Sequence, residues 1–119
     1  MPRFGDLEAA IMDAVWAAGG PVAVRDVAER LKRERGSAFN TVQTVMEILF
    51  RKGWLAREKH GRAYRYWAVA SREDYTAALM GEALDTAADR AAALVRFAAD
   101  MDPDEAAELR RALDRARDH

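Results

Sequence analysis

Residues 39–69, FNTVQTVMEILFRKGWLAREKHGRAYRYWAV, contain the pattern that is most informative about the fold class. Apolar side chains recur at helical spacing from about 39 to 52, and Gly53 follows as a stop, which predicts a helix. Alternating residues at 54–58 and 63–69 predict two strands, joined by a turn over 59–62 in which Gly61 takes a positive φ. The stretch therefore predicts a helix that leads directly into a β-hairpin.

The predicted helix has two contrasting faces. Its apolar face contains Val42, Val45, Met46, Leu49 and Phe50, and its opposite face contains Asn40, Gln43, Thr44, Glu47 and Arg51. A helix of this kind packs one side against a core and leaves the other side to solvent or to a partner.

The polar residues at the N-terminal end of this helix are short and uncharged: Ser37, Asn40, Thr41, Gln43 and Thr44. Asn and Gln can each make two hydrogen bonds to the edge of adenine, and Thr can contact a thymine methyl group or a phosphate. This chemistry predicts that the helix reads bases in DNA. An ordinary solvated face is the alternative that these residues alone leave open.

The segment before residue 39 predicts two more helices. Asp6 is expected to cap the first, whose apolar stripe ends at Gly19, Gly20 and Pro21. Residues 22–24 are β-prone, and a second stripe predicts a helix over about 25–34. Helix, short strand, helix, turn, helix and hairpin is the order of a winged helix-turn-helix, in which the third helix enters the major groove of DNA.

The hairpin tip is basic. Lys59, His60 and Arg62 lie in the predicted turn, with Arg57 and Arg65 nearby. Cationic tips hold phosphates and add affinity without reading sequence, which predicts that this wing contacts the DNA backbone. A merely soluble turn is the alternative.

Four aromatic residues flank that tip: Trp54, Tyr64, Tyr66 and Trp67. Their alternation along strands beside an apolar helix favours packing in or near the core over a platform on which bases stack.

Residues 71–119 are predicted to be helical. Ser71 and Asp74 resemble a capping box at the start of an Ala-rich stretch over about 72–100, which is expected to break near Gly81 or over 86–89. The run Asp102-Pro103-Asp104-Glu105 predicts a last helix, capped by its first Asp. A narrow apolar stripe is marginal alone, so this region is predicted to pack against a second copy. The residues expected at that contact are Leu79, Leu94, Phe97, Leu109 and Leu113.

Charge is distributed unevenly along the chain. Residues 25–65 contain 11 Lys and Arg against 5 Asp and Glu, whereas residues 71–119 contain 7 against 12. A basic N-terminal segment followed by an acidic C-terminal segment predicts that the two parts of the chain have different functions. We therefore predict a mainly α fold with a small β-hairpin wing, formed by a winged-helix DNA-binding domain over 1–70 and a helical dimerisation region over 71–119.

Composition excludes several classes of site. The chain has no cysteine and two histidines, so disulfides and zinc ribbons are excluded, and neither a metal nor another cofactor is expected. Gly-rich phosphate loops and nucleophile elbows are missing, so the chain is not expected to be an enzyme. No apolar run approaches the roughly 18 residues of a membrane span, and the N-terminus lacks an apolar signal core, so a cytoplasmic protein is expected.

The chain resembles the BlaI/MecI family of penicillinase repressors. The resemblance spans nearly the whole chain, and the run Thr41-Val42-Gln43-Thr44 with Lys52-Gly53 downstream is its most specific part. The further matching residues are Asn40, Leu49, Gly61-Arg62-Ala63-Tyr64, and Leu7-Glu8, Ile11-Met12 and Val15-Trp16 near the N-terminus.

This resemblance implies a homodimer that binds an inverted-repeat operator in double-stranded DNA and represses antibiotic-resistance, β-lactamase or stress genes. It implies that Asn40, Thr41, Gln43 and Thr44 face bases or nearby phosphates, and that Arg62 lies in the wing. Several members are inactivated when a sensor protease cuts an Asn–Phe bond. The matching pair here is Arg96-Phe97, so the action of a sensor protease stays open. Copper-responsive members use a Cys-rich tail, which this chain lacks.

A protein of another class fits the same pattern. Winged helices also serve as protein-interaction modules without specific DNA binding, and the nearly neutral total charge of −1 agrees with that alternative. The two hypotheses differ in charge placement, because a DNA-binding protein needs its basic segment gathered on one face.

Overall fold

The helices and strands of the computed structural model, which describes residues 4–118, follow the predicted order. The elements are α1 (Asp6–Ala18), β1 (Val22–Ala23), α2 (Val24–Arg35), α3 (Phe39–Arg51), β2 (Leu55–His60), β3 (Ala63–Ala68), α4 (Arg72–Asp85), α5 (Arg90–Ala99) and α6 (Pro103–Arg117). The predicted fold class, a mainly α winged helix-turn-helix with a small hairpin and a helical region after it, is confirmed.

The core lies where α1, α2 and α3 meet the sheet. Each helix contributes the apolar stripe that its sequence predicts, because residues three or four apart lie on the same side of a helix. The largest fully buried side chains are Ile11, Met12, Val27, Leu31, Val42, Met46, Leu49 and Leu55. Burial of one side of α3 therefore directs its opposite side to solvent.

The sheet has the strand order β1-β3-β2 and is antiparallel throughout. β1 pairs with β3 at Val22 and Tyr66, and the hairpin pairs run from Leu55 with Ala68 to His60 with Ala63. The predicted turn over 59–62 is wrong in length, because Lys59 and His60 still belong to β2. Gly61 takes a φ of 69°, and a two-residue turn with Gly in its first position follows the natural twist of the strands.

The helix caps confirm some predictions and correct another. Ser71 and Asp74 bond reciprocally at the start of α4, through the Asp74 N–H to the Ser71 Oγ at 3.0 Å and the Ser71 N–H to the Asp74 Oδ2 at 3.2 Å. Asp102 caps α6, with Pro103 in the first turn, as predicted. Asp6, however, is the first residue of α1, and Gly5 is its cap. Glu8 takes over the capping hydrogen bond, accepting from the Gly5 N–H at 3.0 Å.

The Ala-rich stretch breaks once among the described residues, between α4 and α5. The break falls at the second of the two predicted places, over 86–89, where Asp89 caps α5 by accepting from the Ala92 N–H at 3.0 Å. Gly81 lies inside α4 and does not interrupt it. No helix in the described range is long and apolar enough to cross a membrane.

The chain divides into two compact units, the first ending at Leu79 and the second beginning at Met80. The predicted boundary after residue 70 lies earlier, before α4. Tyr75 explains the difference, because its ring stacks on Phe4 at 4.2 Å and meets the edge of Trp54 at 5.3 Å, so the first part of α4 packs on the first unit. The division of tasks between the two regions stays a prediction.

We expect the Glu8→Gln variant to lose roughly 1 kcal/mol of unfolding free energy at neutral pH. The Glu8 carboxylate accepts from the Gly5 N–H and from the Lys52 Nζ at 3.1 Å, and these bonds, chiefly the first, hold the pKa of Glu8 below its usual 4.5. This stabilisation is present above the unfolded-state pKa and is lost as pH falls through the lower folded-state pKa. Urea unfolding at pH 7 and pH 3 measures it.

Asp6→Asn is the matched control, since Asp6 is an exposed acid in the same helical turn. It is expected to change stability by a few tenths of a kcal/mol. A difference between wild type and Glu8→Gln that is as large at pH 3 as at pH 7 would contradict the assignment of the effect to the ionised carboxylate.

Candidate nucleic-acid interface

The outer side of α3 presents the four residues predicted to read bases. Asn40, Thr41, Gln43 and Thr44 are all exposed, and Ser37, in the turn before the helix, is half-buried. They face solvent because Val42, Met46 and Leu49 hold the opposite side of the helix in the core. The arrangement offers amide and hydroxyl groups on a rigid helix, which is what contact with base edges requires.

The first turn of α3 is open to an anion. Its cap, Ala38, has no side-chain acceptor, and the first turn contains no acidic residue. The first N–H groups of a helix lack internal partners and carry partial positive charge, so they favour a phosphate. Ser37 lies directly before this turn and adds a hydroxyl.

Two large apolar side chains interrupt this polar surface, and sequence reasoning missed both. Phe39 is 47% exposed and precedes Asn40, and Ile48 is 38% exposed and lies one turn after Thr44. Apolar side chains on a recognition surface can contact the thymine methyl group. The signal in the sequence was a bulky apolar residue at each edge of the polar stripe.

The tip of the hairpin carries the predicted cations in exposed positions. Lys59, His60 and Arg62 are exposed. Within residues 4–118, neither Lys59 nor Arg62 has a carboxylate partner. Unpaired cations at a protruding turn keep their charge available for phosphates.

Arg57 is placed differently from the tip cations. Its guanidinium carbon lies 4.0 Å from the ring centroid of Phe50 and 4.0 Å from that of Tyr64, and its Nη1 donates to the Tyr66 hydroxyl at 3.3 Å. This hydrogen bond raises the pKa of Arg57 above its ordinary value. Arg57, although near the tip in the sequence, is therefore held by aromatic rings and a buried tyrosine, unlike the exposed tip cations.

Several other cations of residues 25–65 are already neutralised within the chain. Arg30 pairs with Glu34 at 2.9 Å, Arg51 with Glu47 at 3.0 Å, and Lys52 with Glu8 at 3.1 Å. Lys32 and Arg35, which the site prediction missed, are exposed in the last turn of α2, just before the loop that leads into α3. The cations left without an internal carboxylate in this described segment are Arg25, Lys32, Arg33, Arg35, Arg57, Lys59, Arg62 and Arg65.

The aromatic residues pack much as predicted. Trp54 and Tyr66 are buried, with 8% and 3% of their surfaces exposed, and Trp67 is half-buried. Tyr64 is exposed on one side and contacts Arg57 on the other.

The described residues contain no group of three or more acids or histidines that could hold a metal ion.

Known proteins resemble the chain in sequence over most of its length. The model of the penicillinase repressor family matches residues 4–115. The transcriptional regulator BlaI of Mycobacterium tuberculosis, in two strains, is 43% identical over 89 residues. That match covers 75% of this chain and 64% of the relative, so the chain spans just under two thirds of the length of these curated relatives.

Solved structures show the same arrangement. The solution structure of the DNA-binding domain of the repressor BlaI matches with a TM-score of 0.55 and 27% identity, over 62% of this chain and 89% of that domain. The solution structure of monomeric Bacillus licheniformis BlaI in complex with the blaP half-operator matches with a TM-score of 0.53, 27% identity and the same coverage.

Proposed function

This chain belongs to the penicillinase repressor family, and we propose that it is a homodimeric transcriptional repressor that binds operator DNA sequence-specifically, with no catalytic activity of its own. One observation supports the proposal most strongly. The helix α3, with an exposed and mostly uncharged side, leads directly into a hairpin whose tip cations Lys59 and Arg62 have no carboxylate partner in the described chain. A helix for base edges next to a cationic wing is the arrangement that major-groove recognition requires.

In this proposal α3 contacts the bases, and the hairpin wing contacts the phosphates. Asn40 and Gln43 make paired hydrogen bonds to adenine edges, and Thr41 and Thr44 contact thymine methyl groups or phosphates. Lys59, His60 and Arg62 of the wing, together with Ser37 before α3, hold phosphates and set the register of the protein on the duplex. The complex of the Bacillus relative with its half-operator supports DNA binding by this fold.

The helical region over 71–119 is proposed to form the dimer. None of the described residues of α5 and α6 is buried. Four of their large apolar side chains are 44–57% exposed: Leu94, Phe97, Leu109 and Leu113. Apolar side chains left open in one protomer favour burial against a second copy. Leu79, half-buried at the end of the first unit, is proposed to join them.

Repression then follows from occupancy. A two-fold dimer presents two α3 helices to half-sites about one helical turn of DNA apart or slightly more, so the operator is an inverted repeat. The bound dimer blocks access of RNA polymerase to the promoter. Family membership favours antibiotic-resistance or stress genes as targets and the cytoplasm as the place of action.

The deciding experiment selects bound sequences from a pool of random duplexes at two salt concentrations. Enrichment of a palindromic site with steep salt dependence is expected. Failure to enrich any site, with only weak binding to every sequence, would overturn the proposal and favour a protein-interaction module.

Gln43→Ala and Thr44→Ala are each expected to reduce discrimination between the selected operator and random DNA by roughly 1–3 kcal/mol for each base that the side chain no longer reads. The reason is that these side chains face base edges, which carry the sequence information. Titrations on both duplexes measure the difference. Glu29→Ala, at an exposed residue of α2, is the control. Equal weakening on operator and random DNA would argue against base reading.

Arg62→Ala is expected to weaken binding to all sequences alike and to lower the slope of log K against log salt by about 0.9, since the protein then neutralises one phosphate fewer. Affinity measured at four or more potassium chloride concentrations gives the slope. Arg110→Ala, at an exposed cation of α6, is the control. An unchanged slope for Arg62→Ala would remove the wing tip from the phosphate-binding surface.

Leu113→Asp is expected to convert the dimer to a monomer, because a charge would enter an apolar interface. Sedimentation measures the mass, and operator affinity is expected to fall by about 10²-fold as the two half-sites lose their linkage. Arg110→Asp, which places a carboxylate at an exposed, already charged position of α6 and changes the net charge by two units instead of one, is expected to remain dimeric. A dimeric Leu113→Asp variant would place the interface elsewhere.

A further inference from the structure

We propose that Arg57 is a positioning residue that fixes the wing to the recognition helix, and that it is not a phosphate ligand; this inference rests on the proposed DNA-binding function. The feature behind it is the contact of one guanidinium with α3, β3 and the core at the same time.

The first part of the argument is the pair of ring contacts. Phe50 lies in the last turn of α3, and Tyr64 lies in β3 next to the hairpin tip. The Arg57 guanidinium carbon is 4.0 Å from each of these two ring centroids, well within the distance at which a cation and an aromatic face attract. The side chain therefore joins the recognition helix to the strand that carries the wing.

The second part is the hydrogen bond to Tyr66. Arg57 and Tyr66 face each other across the β2–β3 ladder, and the Nη1 of Arg57 donates to the Tyr66 hydroxyl at 3.3 Å. Tyr66 is only 3% exposed and belongs to the core. This bond limits how far the guanidinium can move toward a ligand outside.

The third part is the place of this contact along the hairpin. The next pair of residues on this side of the ladder is Lys59 with Tyr64, and one more pair, His60 with Ala63, precedes the turn. Arg57 therefore lies at the base of the tip that carries the phosphate-binding cations. Holding that base against α3 presents helix and wing to DNA together, so less conformational freedom is lost on binding.

Arginine is suited to this position in a way that lysine is not. Its planar guanidinium stacks on aromatic rings and still donates hydrogen bonds, whereas an ammonium group is a compact, strongly hydrated charge without a plane. As a phosphate ligand, by contrast, a lysine supplies the same single charge. The two roles therefore predict opposite results for a change that keeps the charge.

The test uses the chain of 119 residues and its selected operator, and compares Arg57→Lys with Arg62→Lys. Operator affinity is measured by fluorescence anisotropy at several potassium chloride concentrations. Arg57→Lys is expected to bind about tenfold more weakly with an unchanged salt slope, while Arg62→Lys binds within about twofold of wild type. Tyr64→Leu, which removes no charge, is expected to weaken binding as much as Arg57→Lys does.

Hydrogen exchange separates local release of the wing from general unfolding. In Arg57→Lys, the backbone amides of His60 and Ala63 are expected to exchange faster, while those of the buried residues Met12 and Met46 keep their wild-type rates. Faster exchange at all four amides would assign the weaker binding to the stability of the whole unit and overturn the inference.

Two further results separate failure of this inference from failure of the proposed function. Wild-type binding by Arg57→Lys, or an Arg57→Ala variant that lowers the salt slope as Arg62→Ala does, would make Arg57 a phosphate ligand and overturn this inference alone. Failure of the wild-type chain to select any operator would overturn the proposed function, on which the inference rests.

Discussion

The burial of one side of α3 is the constraint on which the rest of the first unit depends. Val42, Met46 and Leu49 are fully buried among side chains from α1, α2 and the sheet, and together they fix the rotation of the helix about its own axis. Because successive helical residues are about 100° apart, Asn40, Gln43 and Thr44 must then face outward. Disrupting that packing would release the presented side chains even if none of them changed.

Only some of the cations in residues 25–65 are available to a partner, because others are paired within the chain. A simple count over residues 25–65 gives a strongly basic segment, but three of its cations bind carboxylates of the same chain in Arg30–Glu34, Arg51–Glu47 and Lys52–Glu8. Exposed ion pairs of this kind contribute little to stability, yet they remove charge from what a partner would meet. Apart from Arg25 near the start of α2, the cations left over lie in the last turn of α2 and along the hairpin, on either side of α3 in the sequence. In the proposed function, the exposed tip cations Lys59 and Arg62 contact DNA phosphates, whereas Arg57 is held by aromatic rings and Tyr66.

The two units differ in how far their apolar side chains are buried. In the first unit, apolar residues from three helices and three strands cover one another, and the aromatic group of Phe4, Trp54 and Tyr75 fastens the start of α4 to it. In the described part of the second unit, α5 and α6 hold their large apolar side chains open to solvent. Isolated amphipathic helices gain most of their stability from packing. A second copy of the chain would supply that packing.

Local patterns in the sequence were enough to predict the order of elements, the inward and outward sides of α3, and the starts of α4 and α6, because each depends on residues only a few positions apart. Helical period, a Ser71–Asp74 pair and an Asp-Pro start are local signals. The hydrogen bond between Gly5 and Glu8 that begins α1 spans only three residues and is also a local signal, although Asp6 was predicted to be the cap. The contact of Lys52, from the end of α3, with the same Glu8 carboxylate depends on the tertiary structure. The tertiary structure also extends the first unit to Leu79, through the contacts of Tyr75. It likewise places Arg57 between Phe50 and Tyr64. These contacts join residues distant in the chain or on different elements, and no spacing rule encodes which side chains a folded core brings together.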